Sequence, residues 1–329
     1  MRIGLWLMMA QALCCTACSG SGKTVQETAA APQAAVTDAF SADSAYAYVE
    51  RQVAFGPRVP GTQGHDACRD WLVSTLRGFG PDTLIVQHGQ MKAFTGEVLP
   101  LSNIFASFNS RATRRVLLVA HWDTRPWADS ESDPGKRQQP IPGANDGGSG
   151  TAVLLEIARN LAEKAPEAGV DILLVDGEDY GDSEGAGDRS DTWCLGSQMW
   201  VKDMPYTPAN TPAYGILLDM VGAPGAVFPR EYFSQQLAPN VVAKVWNEAG
   251  RLGFADIFLK SEGGAVTDDH LVLSTAGIPT VDIIESQHPA TGSFGPAWHT
   301  HADDMSNIDR RTLGAVGKTV LNVVYKEKS

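Results

Sequence analysis

Apolar residues recur along this chain at two different spacings, which predict two kinds of secondary structure. Ser41 and Thr62 precede stretches in which apolar positions lie three and four residues apart, and both are residue types that cap helix N-termini. Further helical patterns cover residues 149–164, 195–202, 238–252 and 308–325. Shorter apolar runs predict strands at residues 83–87, 103–107, 115–120, 170–176, 214–218 and 280–284.

Two of the predicted strands, at residues 117–120 and 172–175, are apolar without interruption. Such strands are covered by helices on both faces, as in parallel sheets. We therefore expect a three-layer α/β/α fold with a mostly parallel, mixed central sheet. Ligands of such folds bind at the carboxyl ends of the strands. His121, the pair Glu178-Asp179 and Asp219 each follow a predicted strand, so we expect one site there.

The N-terminus has the pattern of an export signal. Arg2 is followed by an apolar run at residues 3–17, too short to span a bilayer but long enough for a signal peptide. Small residues precede Cys18, and Ser-Gly-Ser-Gly follows it, which resembles a bacterial lipobox without the usual leucine three residues earlier. We expect a signal peptide at 1–17, a lipidated Cys18 with a flexible tether at 18–40, and one folded domain at 41–329. Plain secretion is the alternative.

Composition narrows the class of protein. A chain of 329 residues with 43% hydrophobic residues can bury one large core. A net charge of -12 and a pI near 5.0 weigh against a nucleic-acid partner, which needs a basic surface. Cys68 and Cys194 are the cysteines that remain after the leader, and we predict no disulfide between them.

Four segments carry metal-site chemistry, at His121, Asp146, Glu178-Asp179 and His299. Asp146 lies in a glycine-rich turn before a helix, where its alternative role is a helix cap. Glu178 and Asp179 are adjacent acids after a buried strand, and such acids need a compensating cation or proton. His299 lies in a loop beside Trp298, with His301 as a competing ligand. Two carboxylates and an imidazole are the ligands of a zinc site that keeps one open position.

His121 has two interpretations. Asp123, two residues further on, could accept the second imidazole N–H and fix the tautomer of a metal ligand. The alternative is a structural histidine at the end of a strand.

These motifs, in this order, resemble the clan of zinc-dependent aminopeptidases and glutaminyl cyclases over residues 49–325. The matched pieces are the His-x-Asp element, the Asp before a helix, the Gly-Glu-Asp turn, the Leu-Leu-Asp strand end, the Asp-His element and the C-terminal His-Thr. The resemblance implies that Asp146, Asp179 and His299 hold zinc and that Glu178 is the general base. Residues 41–329 would then be a single zinc-dependent catalytic domain.

The clan that this chain resembles has two branches, the aminopeptidases and the cyclases. Two-zinc aminopeptidases in this clan use residues matching His121 and Asp219 for a second metal ion. Three features resemble the cyclase branch: Asp219 followed by Met-Val-Gly-Ala-Pro, Asp268 in an Asp-Asp-His element, and Phe294 four residues before Trp298.

Two residues depart from the animal cyclases. Asp179 stands where they have Glu, and Ala120 stands where they have Cys. The segment at residues 180–191 also looks lengthened, which leaves Trp193 between a pocket role and core packing.

The cyclase interpretation gives each residue a role. The enzyme would convert N-terminal glutamine of peptides and proteins into pyroglutamate with one zinc ion, and Glu178 would carry the proton. Asp219 and Asp268 would hydrogen-bond to each other and to the leaving amide. The substrate pocket would contain Trp298, Phe294 and Trp193.

Two alternatives have different expectations. A two-zinc aminopeptidase would bind two ions and remove N-terminal residues. A non-catalytic envelope lipoprotein would keep the fold without the chemistry. With or without catalysis, the lipobox-like sequence leads us to expect that the domain is exported to the bacterial cell envelope, faces the periplasm and contacts the membrane only through its anchor.

Overall fold

The computed structural model describes residues 39–328. Its strands are β1 Thr83–Lys92, β2 Val98–Phe108, β3 Arg115–His121, β4 Gly169–Val175, β5 Tyr214–Leu218, β6 Phe228–Arg230, β7 Phe258–Glu262 and β8 Thr280–Ile283. A 6-stranded central sheet has the order β1-β2-β4-β3-β5-β8, and β6 and β7 form a separate 2-stranded sheet.

The central sheet is parallel in its middle and antiparallel at one edge. β3 runs parallel to β4 and β5, and β5 runs parallel to β8. β2 runs antiparallel to β1 and to β4, but only its segment Ile104 to Phe108 reaches β4. The rest of β2 pairs with β1 alone and forms a two-stranded arm. The predicted fold class, α/β with a mixed central sheet, is confirmed.

Helices cover both faces of the sheet. They are α1 Ala42–Val53, α2 Gln63–Gly78, α3 Gly148–Glu163, α4 Leu195–Trp200, α5 Tyr232–Leu237, α6 Pro239–Arg251, α7 Asp269–Thr275 and α8 Arg310–Lys326. Alternate side chains of β3 enter different cores: Val116 and Leu118 pack with residues of α1, α3 and α8, whereas Leu117 and Val119 pack with Trp200 and Leu273. This division produces the three layers.

Every helix and strand predicted from the sequence is present, and α5, α7, β6 and β7 are additional. Each of these four has seven residues or fewer. Elements this short complete little of a helical or strand period, so some of them, such as α4 and β8, stand out from a loop and others do not. β1 and β2 are also longer than predicted, because their far ends pair only with each other.

Of the expected tether, only residues 39 and 40 are among the described residues. Phe40, placed at the end of the expected tether, is 3% exposed and packs in the main core, so ordered packing includes it. Cys18, the expected signal peptide and the tether up to residue 38 lie outside the described residues. Cys68 and Cys194 are both buried and free, in agreement with the expectation of no bridge. No helix in the range 39–328 has the length and apolarity needed to cross a membrane.

Gly150 allows α3 to approach the sheet beneath the site. A Cβ atom at Gly150 would collide with the carbonyl oxygen of Leu218 in β5, whereas a Cβ atom at exposed Gly250 in α6 would meet nothing within 4 Å. We expect Gly150→Ala to lower the free energy of unfolding by about 1–3 kcal/mol through overpacking. Gly250→Ala should raise it by about 0.5–1 kcal/mol, because alanine favours helix. Urea unfolding of both variants measures the difference, and equal stabilities would contradict it.

Candidate active site

The carboxyl ends of the parallel strands bring together the acids and the histidine that the sequence analysis singled out. His121 ends β3, Asp219 follows β5, and Asp179 follows β4. Asp146 precedes α3, and His299 lies in the loop before α8. All five side chains are buried, with exposures of 1% to 8%. Buried charged groups need partners or a metal ion.

Asp146, Asp179 and His299 form the ligand group expected for zinc. One donor atom from each lies within 4.8 Å of the others. His299 Nε2 is 3.2 Å from Asp179 Oδ1 and 3.8 Å from Asp146 Oδ2. Within the described residues, Asp179 Oδ2 is buried without a hydrogen-bond partner. Two carboxylates, one of them with an unpartnered oxygen, and an imidazole are a donor set that fits one zinc ion.

A second group shares Asp146 with the first. His121, Asp146 and Asp219 also place donor atoms within 4.8 Å of one another. His121 Nε2 is 3.1 Å from an oxygen of each carboxylate. This arrangement fits the second-metal position of the aminopeptidase alternative, in which Asp146 would bridge. The spacing of the donors is therefore compatible with either metal count.

Two other carboxylates hold the ligand-bearing turns through backbone hydrogen bonds. Asp123 accepts the N–H groups of Glu178 and Asp179 at 3.1 and 3.2 Å. Asp303 accepts the N–H groups of Asn145 and Asp146 at 2.9 and 3.0 Å. Asp123 Oδ1 also lies 3.5 Å from His121 Nδ1, where the sequence predicted a partner for that ring. Both carboxylates therefore fix the backbone that carries the site.

The backbone around the site includes conformations that most residues avoid. Gly147, directly after Asp146, has φ +81, and a Cβ atom there would approach the His121 ring and the carbonyl oxygen of Asp123. Cys194, Met220 and His299 have φ of 57, 50 and 55 without being glycine. Such conformations cost about 1–3 kcal/mol each and tend to occur where function requires a particular geometry.

Asp129 is a partner of the site that the sequence analysis missed. Its Oδ1 lies 3.0 Å from His299 Nδ1, the nitrogen that faces away from the ligand group. Arg125 donates to both carboxylate oxygens, at 3.0 and 2.6 Å, and also to the backbone oxygen of Asp179. Burial alone would raise the pKa of Asp129, but the bonds from His299 and Arg125 lower it. The ionised carboxylate therefore orients the His299 ring so that Nε2 faces the other ligands.

Asp129→Asn should weaken zinc binding about 10- to 100-fold, because losing the carboxylate partner lowers the basicity and the fixed orientation of a ligating histidine. Competition with a chelator of known affinity measures the effect. Glu131→Gln is the matched control, since Glu131 accepts from His301 instead. Equal zinc affinities for the two variants would show that Asp129 does not position His299.

Glu178 lies beside the ligand group without belonging to it. Atoms of Glu178, Cys194 and Asp268 lie within 4.8 Å of one another, and the Cys194 thiol donates to Glu178 Oε1 at 3.4 Å. Burial, followed by the negative charge of Asp268, raises the pKa of Glu178 well above its ordinary value. A bound cation would oppose this shift. A buried carboxyl under these opposing influences is a candidate for proton transfer.

Asp219 and Asp268 both line the same cavity, but the hydrogen bond expected between them is not among those of the described residues. Asp219 Oδ1 lies 3.1 Å from His121 Nε2 instead. Asp268 Oδ1 accepts the N–H of Asp269, and its Oδ2 is buried and has no partner among the described residues. Burial, with the charge of Asp219 added, raises the pKa of Asp268 well above its ordinary value. Asp268 also belongs to a second group, in which its carboxylate lies within 4.8 Å of donor atoms of His270 and Asp282.

All three predicted pocket aromatics line the cavity. It has a volume of about 370 Å³ and contains Trp193, Phe294 and Trp298 together with Glu178, Asp179, Asp219, Asp268 and His299 in its wall. The Trp298 and His299 rings stack with centroids 3.6 Å apart, and Trp193 stacks on His299 at 6.3 Å. Phe294 packs on Trp298 at 4.7 Å. His301, the competing ligand, pairs with Glu131 outside the ligand group.

Solved structures that share this α/β fold include Zn-dependent exopeptidases, which agrees with the carboxylates and imidazoles gathered at the carboxyl ends of its parallel strands. This chain belongs to peptidase family M28, whose family model matches residues 103–324. Within that family it resembles the bacterial glutaminyl cyclases.

Three relatives illustrate the resemblance. The crystal structure of Tannerella forsythia glutaminyl cyclase is 51% identical, with a TM-score of 0.84, and covers 88% of this chain and 99% of its own. A Zn-dependent exopeptidase from Parabacteroides distasonis is 49% identical over the same shares, with a TM-score of 0.83. The glutaminyl-peptide cyclotransferase of Bos taurus is 24% identical over 82% of this chain and 78% of its own. The family is thus established, and its neighbours include both cyclases and exopeptidases.

Proposed function

We propose that this protein cyclises the N-terminal glutamine of peptides and proteins to pyroglutamate and releases ammonia. The observation that carries the proposal is the buried carboxyl pair Glu178 and Asp268 in a small cavity walled by Trp298 and Phe294. In the cyclases that this chain resembles, an acid at the position of Asp268 belongs to the substrate pocket, beside the general base. The resemblance to bacterial glutaminyl cyclases supports the same conclusion.

The first role of the cavity would be to bind the glutamine side chain. Trp298, Phe294 and Trp193 would pack against the methylene groups of the glutamine side chain, and this apolar wall would exclude water. Exclusion of water matters because water would compete with the α-amine as the nucleophile. Asp268 Oδ2 and the carboxylate of Asp219 would accept hydrogen bonds from the amide nitrogen of the same side chain and so fix its γ-carbon.

Proton transfer would be the task of Glu178. Its carboxylate would accept a proton from the α-amine as the new bond forms between the α-nitrogen and the γ-carbon. The same proton would then move to the amide nitrogen, the bond from the γ-carbon to that nitrogen would break, and ammonia would leave. No water is consumed, and Glu178 ends in its starting state.

Zinc would be held by Asp146, Asp179 and His299, and when bound it would polarise the γ-carbonyl and offset negative charge on its oxygen. Other side chains of the protein would keep these three ligand side chains in position. Asp123 and Asp303 fix the turns that carry the carboxylates, and Asp129 fixes the ring of His299.

A two-zinc aminopeptidase is the second candidate, and the group formed by His121, Asp146 and Asp219 is the observation that favours it. Product analysis separates the two. A coupled assay should detect ammonia from a glutamine-initiated peptide and no free amino acid from an alanine-initiated one. Release of free amino acids from both peptides would overturn the cyclase proposal.

We also propose that the chain is exported and anchored through a lipid on Cys18, on the basis of the lipobox-like sequence before it. Fractionation of cells that express the full-length chain or its Cys18→Ser variant tests this. Membrane association that the variant loses supports the anchor, and membrane association that is equal in both contradicts it.

A further inference from the structure

A second cleft opens at the rim of the catalytic cavity. It has a volume of about 180 Å³, with Phe94 and Trp127 in its wall together with the segment Asp182 to Glu184. Asp182 and Ser183 also line the catalytic cavity. Ser183 is exposed, so the two cavities meet at the surface. A peptide that leaves the catalytic cavity past Ser183 enters this outer cleft.

The outer cleft presents a rigid aromatic platform. Phe94 is 39% exposed and packs edge-on against Trp127 at 5.7 Å, and Trp127 packs in the same way against Tyr180 at 5.1 Å. The Tyr180 hydroxyl donates to Glu97 at 2.7 Å. Tyr180 directly follows Asp179, so the platform is joined to the turn that carries a proposed zinc ligand. An exposed ring on such a support gains free energy when a ligand covers it.

Arg125 connects the platform to the wall of the catalytic cavity. Its guanidinium carbon lies 4.9 Å from the centre of the Trp193 ring and 5.5 Å from that of Trp127. Asp129 pairs with this guanidinium, and Arg189 pairs with Asp182. Arg137 and Glu184 also line the cleft and have no ion-pair partner among the described residues, so the cleft offers a ligand its aromatic rings together with one charged group of each sign.

We infer that the outer cleft is a subsite for the second or third residue of the substrate and that it favours an aromatic side chain there. This inference rests on the proposed cyclase function. An extended peptide advances about 3.3 Å per residue, so the residues just after the N-terminal glutamine are those that reach a cleft at the cavity rim. Aromatic side chains pack edge-on or offset against exposed rings such as Phe94.

Besides a cavity that shares Asp146, Met220 and Trp298 with the catalytic cavity, a groove between α4 and α7 is a competing path. It also adjoins the catalytic cavity, through Thr267 and Asp268, and its wall includes Leu271 and Val272. This groove contains no aromatic side chain, and Asp268 at its junction is only 3% exposed. The outer cleft therefore fits an aromatic residue better, and Val272 offers a control for the groove.

The test compares kcat/KM for glutaminamide and for the peptide amides Gln-Ala-Ala, Gln-Phe-Ala and Gln-Ala-Phe. The proteins are the zinc-loaded wild type, Phe94→Ala, Val272→Ala and Ile85→Ala. Ile85 is a matched exposed apolar residue on β1, at 37% exposure. We expect the wild type to prefer one phenylalanine peptide over Gln-Ala-Ala by about tenfold. Phe94→Ala should remove that preference and leave glutaminamide turnover unchanged, and the other two variants should keep it.

Each contrary outcome has a distinct meaning. A wild type without aromatic preference, or a preference that survives Phe94→Ala, would overturn the subsite while the cyclase proposal stands. A preference lost in Val272→Ala but kept in Phe94→Ala would assign the path to the groove between α4 and α7. Absence of glutaminamide turnover by the wild type would overturn the proposed function, and the subsite with it.

Discussion

Glu178→Gln is expected to lower kcat for glutamine-initiated peptides by about 10²- to 10⁴-fold, the usual contribution of a positioned general base. Glutamine has nearly the same shape as glutamate but cannot accept the proton of the α-amine. The side chain is outside the proposed ligand group, so zinc content should remain that of the wild type. Initial rates of ammonia release, together with elemental analysis of the purified variant, measure both quantities.

A matched acid controls for the loss of charge. Asp182 lies at the mouth of the same cavity, and its carboxylate bonds to Arg189 and to the backbone of residues 184 and 185. Asp182→Asn should change kcat much less than Glu178→Gln does. A Glu178→Gln variant with near wild-type kcat would remove Glu178 from the mechanism, and a variant without zinc would make it a ligand instead.

His299→Ala is expected to lose both zinc and turnover. The variant deletes one of three proposed ligands and also leaves the buried Asp179 and the partly exposed Asp129 without the imidazole between them. Removing one partner of a buried charged pair costs about 3–5 kcal/mol, so we also expect a lower free energy of unfolding. Zinc content after dialysis against buffered free zinc measures the first effect, and urea unfolding measures the second.

The His301→Ala variant tests whether the effect of His299→Ala comes from loss of a zinc ligand or from loss of any histidine in this loop. His301 is two residues further on, pairs with Glu131 and stays outside the ligand group. The His301→Ala variant should therefore keep wild-type zinc content and kcat. If His301→Ala lost zinc and His299→Ala retained it, the two histidines would have to exchange roles. Loss of zinc in both variants would indicate a collapse of the loop rather than removal of a ligand.

The three layers of this fold could be predicted from the sequence, because the apolar patterns that indicate its main strands and helices are long or recur along the chain. The continuous apolar run from Leu117 to Ala120 indicated a strand covered on both faces, and the structure contains that strand. The short helix α7 was missed although it begins directly after Asp268. Its seven residues complete about two turns, and its position is set by packing on β5 and β8 rather than by its own periodicity.

The site was predictable to the extent that its residues end strands. His121, Asp179 and Asp219 follow from the rule that ligands bind at the carboxyl ends of parallel strands. Asp129 and Asp303 could not be assigned roles in the same way. Asp129 lies in a loop, and its partner His299 is far away along the chain, so only the folded structure brings them together. Local sequence contains no signal for such long-range partners.

The most direct test of the central claim is a mass spectrum of a glutamine-initiated peptide after incubation with the purified, zinc-loaded domain, compared with the Glu178→Gln variant. The proposed function predicts a product that has lost one ammonia and retains every residue, formed by the wild type and not by the variant. A product that lacks its entire N-terminal residue would contradict the cyclase proposal and would assign His121 and Asp219 to a second metal ion.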